Sequence, residues 1–180
     1  MTGISQRFAW CALSLLLCCS SSAEPRRDPL SQLEIDQLRD TAQAPDERLK
    51  LYVKFVRIRL DAIDQARTDP KVTDHAGEIH VRLQDFLAVY DELSDNVDMF
   101  ADRRDDSRKS LKVIIEADTE FQAKLRALKD SAEGKTEASE YQFALTDAIE
   151  ALDTGATDHR TLLTEQEDLA KRKKLVKAVP

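Results

Sequence analysis

Apolar residues recur at alternating intervals of four and three positions through most of this chain, a spacing typical of helices that pack as in a coiled coil. The pattern is most regular between residues 79 and 100, where seven apolar residues follow one another without an error. It repeats over residues 111–132, with a single polar interruption at Asp118. A third run begins at Tyr141 and keeps its phase past Gly155, although its residues become polar.

Capping residues and prolines divide this pattern into five predicted helices. Ser31 and Glu34 have the spacing of a capping box, and Pro45 followed by two acids is typical of a helix start. Short connections place consecutive helices side by side in opposite directions. We therefore predict an all-α fold, an antiparallel up-down helical bundle with coiled-coil-like heptad seams. The predicted helices cover about residues 31–42, 45–67, 73–102, 105–132 and 136–174.

The second predicted helix is apolar on two sides. One stripe begins at Leu49, and a second, formed by Leu51, Phe55 and Ile58, lies about 160° around the helix. A helix with two opposed apolar faces is not expected to leave one of them in water. The second stripe is therefore a candidate interaction face, covered either by the first and last segments of the chain or by another chain. The alternating residues 53–60 would also fit a strand, but the flanking caps favour a helix.

Gly155 is the weak point of the fifth helix, because glycine destabilises a helix interior by about 1 kcal/mol. The heptad phase is nevertheless unbroken across it. We predict a kinked but nearly continuous helix whose last third extends beyond the bundle with His159, Gln166 and a basic tail. The tail would complement the helix dipole, or it would contact an anionic membrane or a partner. It consists of Lys171, Arg172, Lys173 and Lys174.

The first 23 residues have the order of a cleavable secretory signal peptide. Arg7 precedes an apolar core, and the small residues Ser21 and Ala23 mark a cleavage site. The core is shorter than the roughly 20 residues of a membrane-spanning helix. We expect an exported protein, periplasmic or secreted.

All three cysteines lie inside this predicted signal, at Cys11, Cys18 and Cys19. A chain cleaved after Ala23 has no disulfide, no thiolate metal site and no cysteine nucleophile. The alternative is a lipoprotein anchored at Cys18 or Cys19. Membrane contact is expected only through the signal peptide or such a lipid anchor.

The sequence divides into four predicted segments. They are a signal peptide at 1–23, an N-terminal extension with a short helix at 24–45, a helical bundle core at 46–153, and a C-terminal helix with the basic tail at 154–180. The formal net charge is −7, which argues against general nucleic-acid binding.

The chain carries no motif of a catalytic nucleophile, a phosphate-binding loop or an EF-hand. His75 and His80 are five residues apart, so they point in different directions on a helix and cannot form a metal-binding face. We expect these two and His159 to be exposed polar residues near helix starts. The sequence therefore predicts no metal, no cofactor and no enzymatic activity.

Asp118 is the one polar residue in the seam of the fourth helix. Counting through the turns places it level with Tyr90 on the third helix and with Tyr52 on the second. These three residues are a candidate buried polar layer, with a role in setting helix register rather than in catalysis. In the alternative, the helix rolls slightly, Ile115 takes the seam position and Asp118 reaches water.

Together these features predict an exported, non-enzymatic helical-bundle protein of the cell envelope. It would act by protein–protein interaction or self-association, with a protein partner or as a homodimer. A lipid-anchored envelope protein and a small-ligand or cofactor-binding bundle are the alternatives.

Overall fold

A computed structural model describes residues 28–178, and this part of the chain is an all-helical bundle without strands. The predicted signal peptide and its three cysteines lie outside the described residues. Within them, five α-helices and one short 3-10 helix follow one another along the chain. They are α1 Gln32–Asp40, α2 Pro45–Thr68, α3 His75–Asp102, α4 Arg108–Ala132, the 3-10 helix Thr136–Glu140, and α5 Gln142–Ala178.

Side chains at the helix starts explain where the helices begin. The Ser31 hydroxyl accepts a hydrogen bond from the Glu34 amide at 3.3 Å, and the Glu34 carboxylate accepts one from the Ser31 amide at 2.8 Å. This confirms the predicted capping box. Pro45 is the first residue of α2, and Asp74 caps α3 by accepting a hydrogen bond from the Gly77 amide at 2.9 Å.

The last helix begins later than predicted and is continuous. Gly134, with a φ of 75°, turns the chain after α4, and residues 136–140 form a 3-10 helix rather than the first turn of an α-helix. α5 then runs through Gly155 to Ala178, which confirms a continuous helix there. Its 37 residues span about 55 Å, compared with about 38 Å for the 25 residues of α4.

The heptad seams of α3 and α4 form the core of the bundle. Their members are buried, and each apolar one stabilises the fold by about 1.5–3 kcal/mol relative to an exposed side chain. In α3 they are Ile79, Leu83, Phe86, Tyr90, Leu93, Val97 and Phe100, and in α4 they are Leu111, Ile114, Asp118, Phe121, Leu125, Leu128 and Ala132.

The second apolar stripe of α2 is not an exposed interaction face. Phe55 exposes only 1% of its surface, and its ring meets that of Tyr52 edge-on at 6.4 Å. Leu51 is partly buried against the core, and of the three predicted residues Ile58 alone is exposed. The predicted interaction face is therefore wrong at Phe55. The physical reason is that α2 packs against α1, α3 and α4, so the chain covers both of its apolar sides.

Arg59 of α2 ties α1 and the segment before it to α2. The guanidinium of Arg59 donates to both carboxylate oxygens of Glu34, at 2.9 and 2.7 Å, and to the carbonyl of Pro29 at 2.6 Å. Burial would raise the pKa of Glu34, but the hydrogen bonds from Arg59 and Ser31 outweigh it, so the pKa is lowered. The start of the described chain is thus held against α2.

Candidate functional site

Three polar side chains from three helices form a hydrogen-bonded cluster inside the bundle. The Tyr90 hydroxyl on α3 donates to Oδ1 of Asp118 on α4 at 3.1 Å. Nδ1 of His159 on α5 lies 2.9 Å from Oδ2 of the same carboxylate. Tyr90, Asp118 and His159 expose 1%, 0% and 3% of their surfaces, so we call them the polar cluster and place it in the core.

Helix packing and aromatic contacts fix the geometry of the polar cluster. The ring of Tyr90 stacks on that of Phe86 with centroids 5.9 Å apart and an angle of 11° between the planes. The His159 ring meets Tyr90 edge-on at 6.4 Å. Asp118 sits at a seam position of α4, four residues after the buried Ile114. Each member is therefore held by the seam of its own helix.

The charge of Asp118 decides the direction of both hydrogen bonds. An ionised carboxylate can only accept, and with Asp118 ionised Nδ1 of His159 is the donor to Oδ2. Burial and the neighbouring negative charge of Asp118 raise the pKa of Tyr90 far above its usual value, so the hydroxyl remains a donor. Both carboxylate oxygens thus have a donor, which is the condition under which such a group is tolerated in a core.

Tyr52, the third residue of the predicted polar layer, belongs to a different network. Its hydroxyl donates to Glu92 at 3.4 Å and accepts from Arg48 at 3.5 Å. Arg48 also donates to the side-chain oxygen of Asn96 and to the carbonyl of Leu38, both at 2.7 Å. Counting residues through the turns predicts how far along the bundle axis a residue lies, but not which neighbouring helix its side chain faces. The prediction that Tyr52 joins Asp118 was wrong for this reason.

His159 takes the place predicted for Tyr52, and the expectation that it is exposed is wrong. Its position in the heptad register of the fifth run was the signal that could have identified it. Gln166 does not project freely either. Its side-chain oxygen accepts from the Ser107 amide at 3.1 Å, and its side-chain nitrogen donates to the carbonyl of Asp105 at 3.3 Å. Gln166 therefore fastens α5 to the connection between α3 and α4.

An aspartate that orients a histidine is also the arrangement of many catalytic and metal-binding histidines. A metal would need further ligands, and residues 28–178 contain no group of three or more His, Cys, Asp or Glu that could hold one. A hydrolytic site that works through a serine, threonine or tyrosine nucleophile would need that hydroxyl at Nε2 of His159. No hydroxyl of the described residues hydrogen-bonds to that nitrogen.

The last turns of α5 form a second candidate site, at the surface. Leu169 and Val176 expose 54% and 75% of their surfaces, and Leu175 is exposed as well. We call residues 169–178 the α5 end. The predicted basic tail lies within it, and Lys171 pairs with Asp168 at 3.0 Å. Leu169 also lines a groove between α5 and the connection that joins α3 to α4.

No protein-family model, no curated protein and no solved structure matches the chain. In the part of the chain that the structure describes, no helix has both the length and the apolar character needed to cross a bilayer. What the protein does must therefore be inferred from its own residues.

Proposed function

We propose that this protein is an exported, non-enzymatic helical bundle that acts by binding another protein through the α5 end. The observation that carries the proposal is the exposure of Leu169 and Val176 on a helix that continues past its last contacts with the core. Apolar side chains that lie together on a surface are typical of interaction sites. Apolar side chains are not exposed along the whole of this helix, since Leu152, earlier in α5, is fully buried.

Most of the α5 end lies beyond the bundle. Gln166 meets Ser107, the residue immediately before α4, and among the described residues the hydrogen bonds and ion pairs of α4 reach no further along α5 than Glu167, which pairs with Lys112 at 3.0 Å. The twelve residues from there to Ala178 add about 18 Å of helix. Leu162 and Leu163, just before Gln166, still pack against the core.

We also propose that consecutive helices run in opposite directions. The supporting contacts are pairs between α4 and α5 in which one residue number rises as the other falls. Between α2 and α4 the numbers rise together, as they would for alternate helices of an up-down bundle. The pairs are Asp118–His159 and Ser107–Gln166 for α4 with α5, and Arg57–Glu120 and Asp61–Lys124 for α2 with α4.

In this proposal the polar cluster sets the register of α5 and performs no chemistry. A buried polar group that has a partner at only one register disfavours every shifted packing of the helices. Asp118 joins α3 to α5 in this way, because it accepts from Tyr90 and from His159 at the same time. The polar cluster therefore determines how far α5 extends past the bundle.

Export is proposed on the basis of the first 23 residues, and a lipid anchor at Cys18 or Cys19 is the alternative. The intact mass of the protein purified from a secreting host distinguishes the two. A chain that begins at Glu24 supports cleavage after Ala23, whereas an acylated chain that begins at either cysteine supports the anchor.

Site-specific photo-crosslinking tests the binding function. A benzoylphenylalanine in place of Val176 is expected to give one discrete adduct in the cells that produce the protein. The matched control is the same probe at Val81, which is exposed on α3 away from the α5 end and is expected to give no such adduct. Leu169→Asp in the Val176 probe variant is expected to remove the adduct, because it places a charge on the apolar stripe.

Equal adducts from both probe positions, or none from either, would contradict the proposal. Circular dichroism of each variant checks that the helical content is unchanged. The mass of the adduct also separates a different protein from a second copy of this chain.

A further inference from the structure

We infer that the partner of the α5 end is an acidic amphipathic helix of another protein, an inference that rests on the proposed binding function. Two observations carry it. They are the course of the α5 seam and the cations on both sides of it.

The heptad seam of α5 continues past the point where the bundle stops covering it. Leu162, Leu169 and Val176 are seven residues apart, so they form one stripe along the helix within about 20° per step. Leu162 is half-buried against the core, whereas Leu169 and Val176 are exposed. A seam with this repeat is the surface on which another helix packs, as α4 does further back along α5.

Cations flank the exposed stripe on both sides. At 100° per residue, Arg172 lies about 40–60° to one side of Leu169 and Val176, and Lys173 lies about the same angle to the other side. In the 4-3 repeat that contains Leu162, Gln166 and Leu169, Arg172 is a flanking position and Lys173 is the next seam position, so both cations reach a helix packed on the stripe. A partner with glutamate or aspartate at its own flanking positions is complementary to this stripe.

Two of the negative charges near the stripe are paired with cations of this chain. Asp168 pairs with Lys171 at 3.0 Å, and Asp106 pairs with Arg108 at 2.6 Å. Arg172 and Lys173 make no ion pair with any residue that the structure describes. Between residues 169 and 176 every charged side chain is nevertheless a cation, namely Lys171, Arg172, Lys173 and Lys174, although the whole chain carries −7.

Two other occupants fit the stripe less well. A second copy that paired through the same segment would bring the same cations against these, and like charges at such positions are unfavourable. A helix that lies on a membrane needs a broad apolar face, whereas here cations begin within about 60° of a stripe of two side chains. An acidic helix avoids both difficulties.

The groove beside the stripe gives the partner helix a second wall. The apolar lining of the groove is Ala101, Leu162, Leu169 and Ala170, and the rest of it is lined by acids such as Asp102 and Glu165 and by cations. A helix that lies along α5 from residue 162 to 178 would keep contact over about 25 Å, or between four and five turns. This length is that of a typical helix-in-groove interaction.

The test uses a synthetic helix of about three heptads with leucine at the seam positions and glutamate at the flanking positions. Repulsion between its glutamates keeps the peptide from pairing with itself. Matched peptides carry glutamine or lysine at the flanking positions. Fluorescence anisotropy with the purified full chain is expected to show the glutamate peptide binding at least about tenfold more tightly than the glutamine peptide.

Two variants place this binding on the α5 end. Val176→Asp is expected to weaken binding by about tenfold or more, since it removes part of the apolar stripe. Arg172→Gln with Lys173→Gln is expected to remove the preference for glutamate over glutamine and leave the apolar contact in place. Val81→Asp, on another helix, is the control and is expected to bind as the unchanged chain does.

Equal affinity for the glutamate and glutamine peptides would overturn the inference, as would binding that none of the α5 variants affects. Binding to phosphatidylglycerol vesicles that Arg172→Gln with Lys173→Gln abolishes would assign the stripe to a membrane instead. Concentration-dependent dimers in light scattering, lost in Val176→Asp, would assign it to a second copy. An adduct from the Val176 probe without any preference for the acidic peptide would reject the inference and leave the binding function standing.

Discussion

The ring of Tyr90 occupies the space beside Gly155 that the side chain of any larger residue would need. A Cβ atom at position 155 would lie 3.0 Å from Cε1 of Tyr90 and closer still to the hydroxyl oxygen. This relationship explains why a residue that weakens helices stands in the middle of α5. Gly155 lets α3 and α5 approach closely enough for Tyr90 to reach Asp118, whose other oxygen holds His159 one turn further along α5.

Gly155→Ala is therefore expected to destabilise the protein, although the same change in an ordinary helix interior stabilises it by about 1 kcal/mol. The overpacking against Tyr90 is expected to outweigh this gain and to lower the free energy of unfolding by about 1–2 kcal/mol. Urea denaturation measures the change. Thr154→Ala, on the exposed side of the same turn, is the control and should change the stability by only a few tenths of a kcal/mol. A more stable Gly155→Ala variant would mean that Tyr90 does not occupy this space.

Tyr90→Phe is expected to lower the free energy of unfolding by about 1–3 kcal/mol, because it leaves one oxygen of a buried carboxylate without its donor. Tyr141→Phe is the matched control. Tyr141 is also buried, but its hydroxyl makes no hydrogen bond among the residues that the structure describes. Denaturation curves of the two variants should therefore differ by at least about 1 kcal/mol. Equal effects would show that the Asp118 hydrogen bond contributes no stability.

The raised pKa of Tyr90 makes stability depend on alkaline pH. The folded protein keeps the Tyr90 proton above pH 10 or so, where an unfolded tyrosine loses it, so the folded state binds the extra proton. The contribution of Tyr90 to the free energy of unfolding is fully present below about pH 10. As the pH rises further, the free energy of unfolding falls by about 1.4 kcal/mol per pH unit for this one proton.

Tyr90→Phe should make that slope less steep by the contribution of one proton, about 1.4 kcal/mol per pH unit. Burial also raises the pKa values of Tyr52 and Tyr141, so the variant is expected to keep part of the alkaline dependence. Denaturation between pH 8 and about 11 measures both slopes. Identical slopes for the unchanged protein and the variant would contradict the raised pKa of Tyr90.

A double-mutant cycle on Asp118 and His159 tests whether the two residues act as one unit. Asp118→Ala and His159→Ala are each expected to lower the free energy of unfolding by about 2–5 kcal/mol, because each leaves a buried polar partner behind. The double variant should lose less than the sum of the two, by about 0.5–3 kcal/mol. Strict additivity would mean that the 2.9 Å contact between them is not an energetic interaction.

The sequence was sufficient to predict where most of the helices lie, because local signals determine their positions. The Ser31 capping box, the proline that opens α2 and the uninterrupted seam of α3 each depend on residues within a few turns. The 3-10 segment before α5 was missed, since Thr136 and its neighbours fit the start of either kind of helix.

The composition of the polar cluster could be predicted only in part, because its contacts join distant residues. Asp118 was identified by being polar at a seam position, and Tyr90 by its level in the bundle. His159 is 41 residues from Asp118, and its polarity suggested exposure although its heptad position indicated burial. The prediction that Phe55 belongs to an interaction face was wrong because its apolar character indicates only that something covers it. That character does not reveal that α1, α3 and α4 all pack around α2.

The α5 end is expected to bind a partner without being required for folding. Thermal unfolding of the full chain and of a chain that ends at Ala170, each with and without the glutamate peptide, tests both expectations together. Without peptide, the two melting temperatures are expected to agree within about 2 °C, since the removed side chains of residues 171–176 are exposed. Peptide at about 100 times its Kd is expected to stabilise the full chain by about 2.7 kcal/mol and the shortened chain much less. A shortened chain that melts many degrees lower would show that the α5 end is needed for folding, and one that the peptide stabilises equally would show that the peptide binds elsewhere.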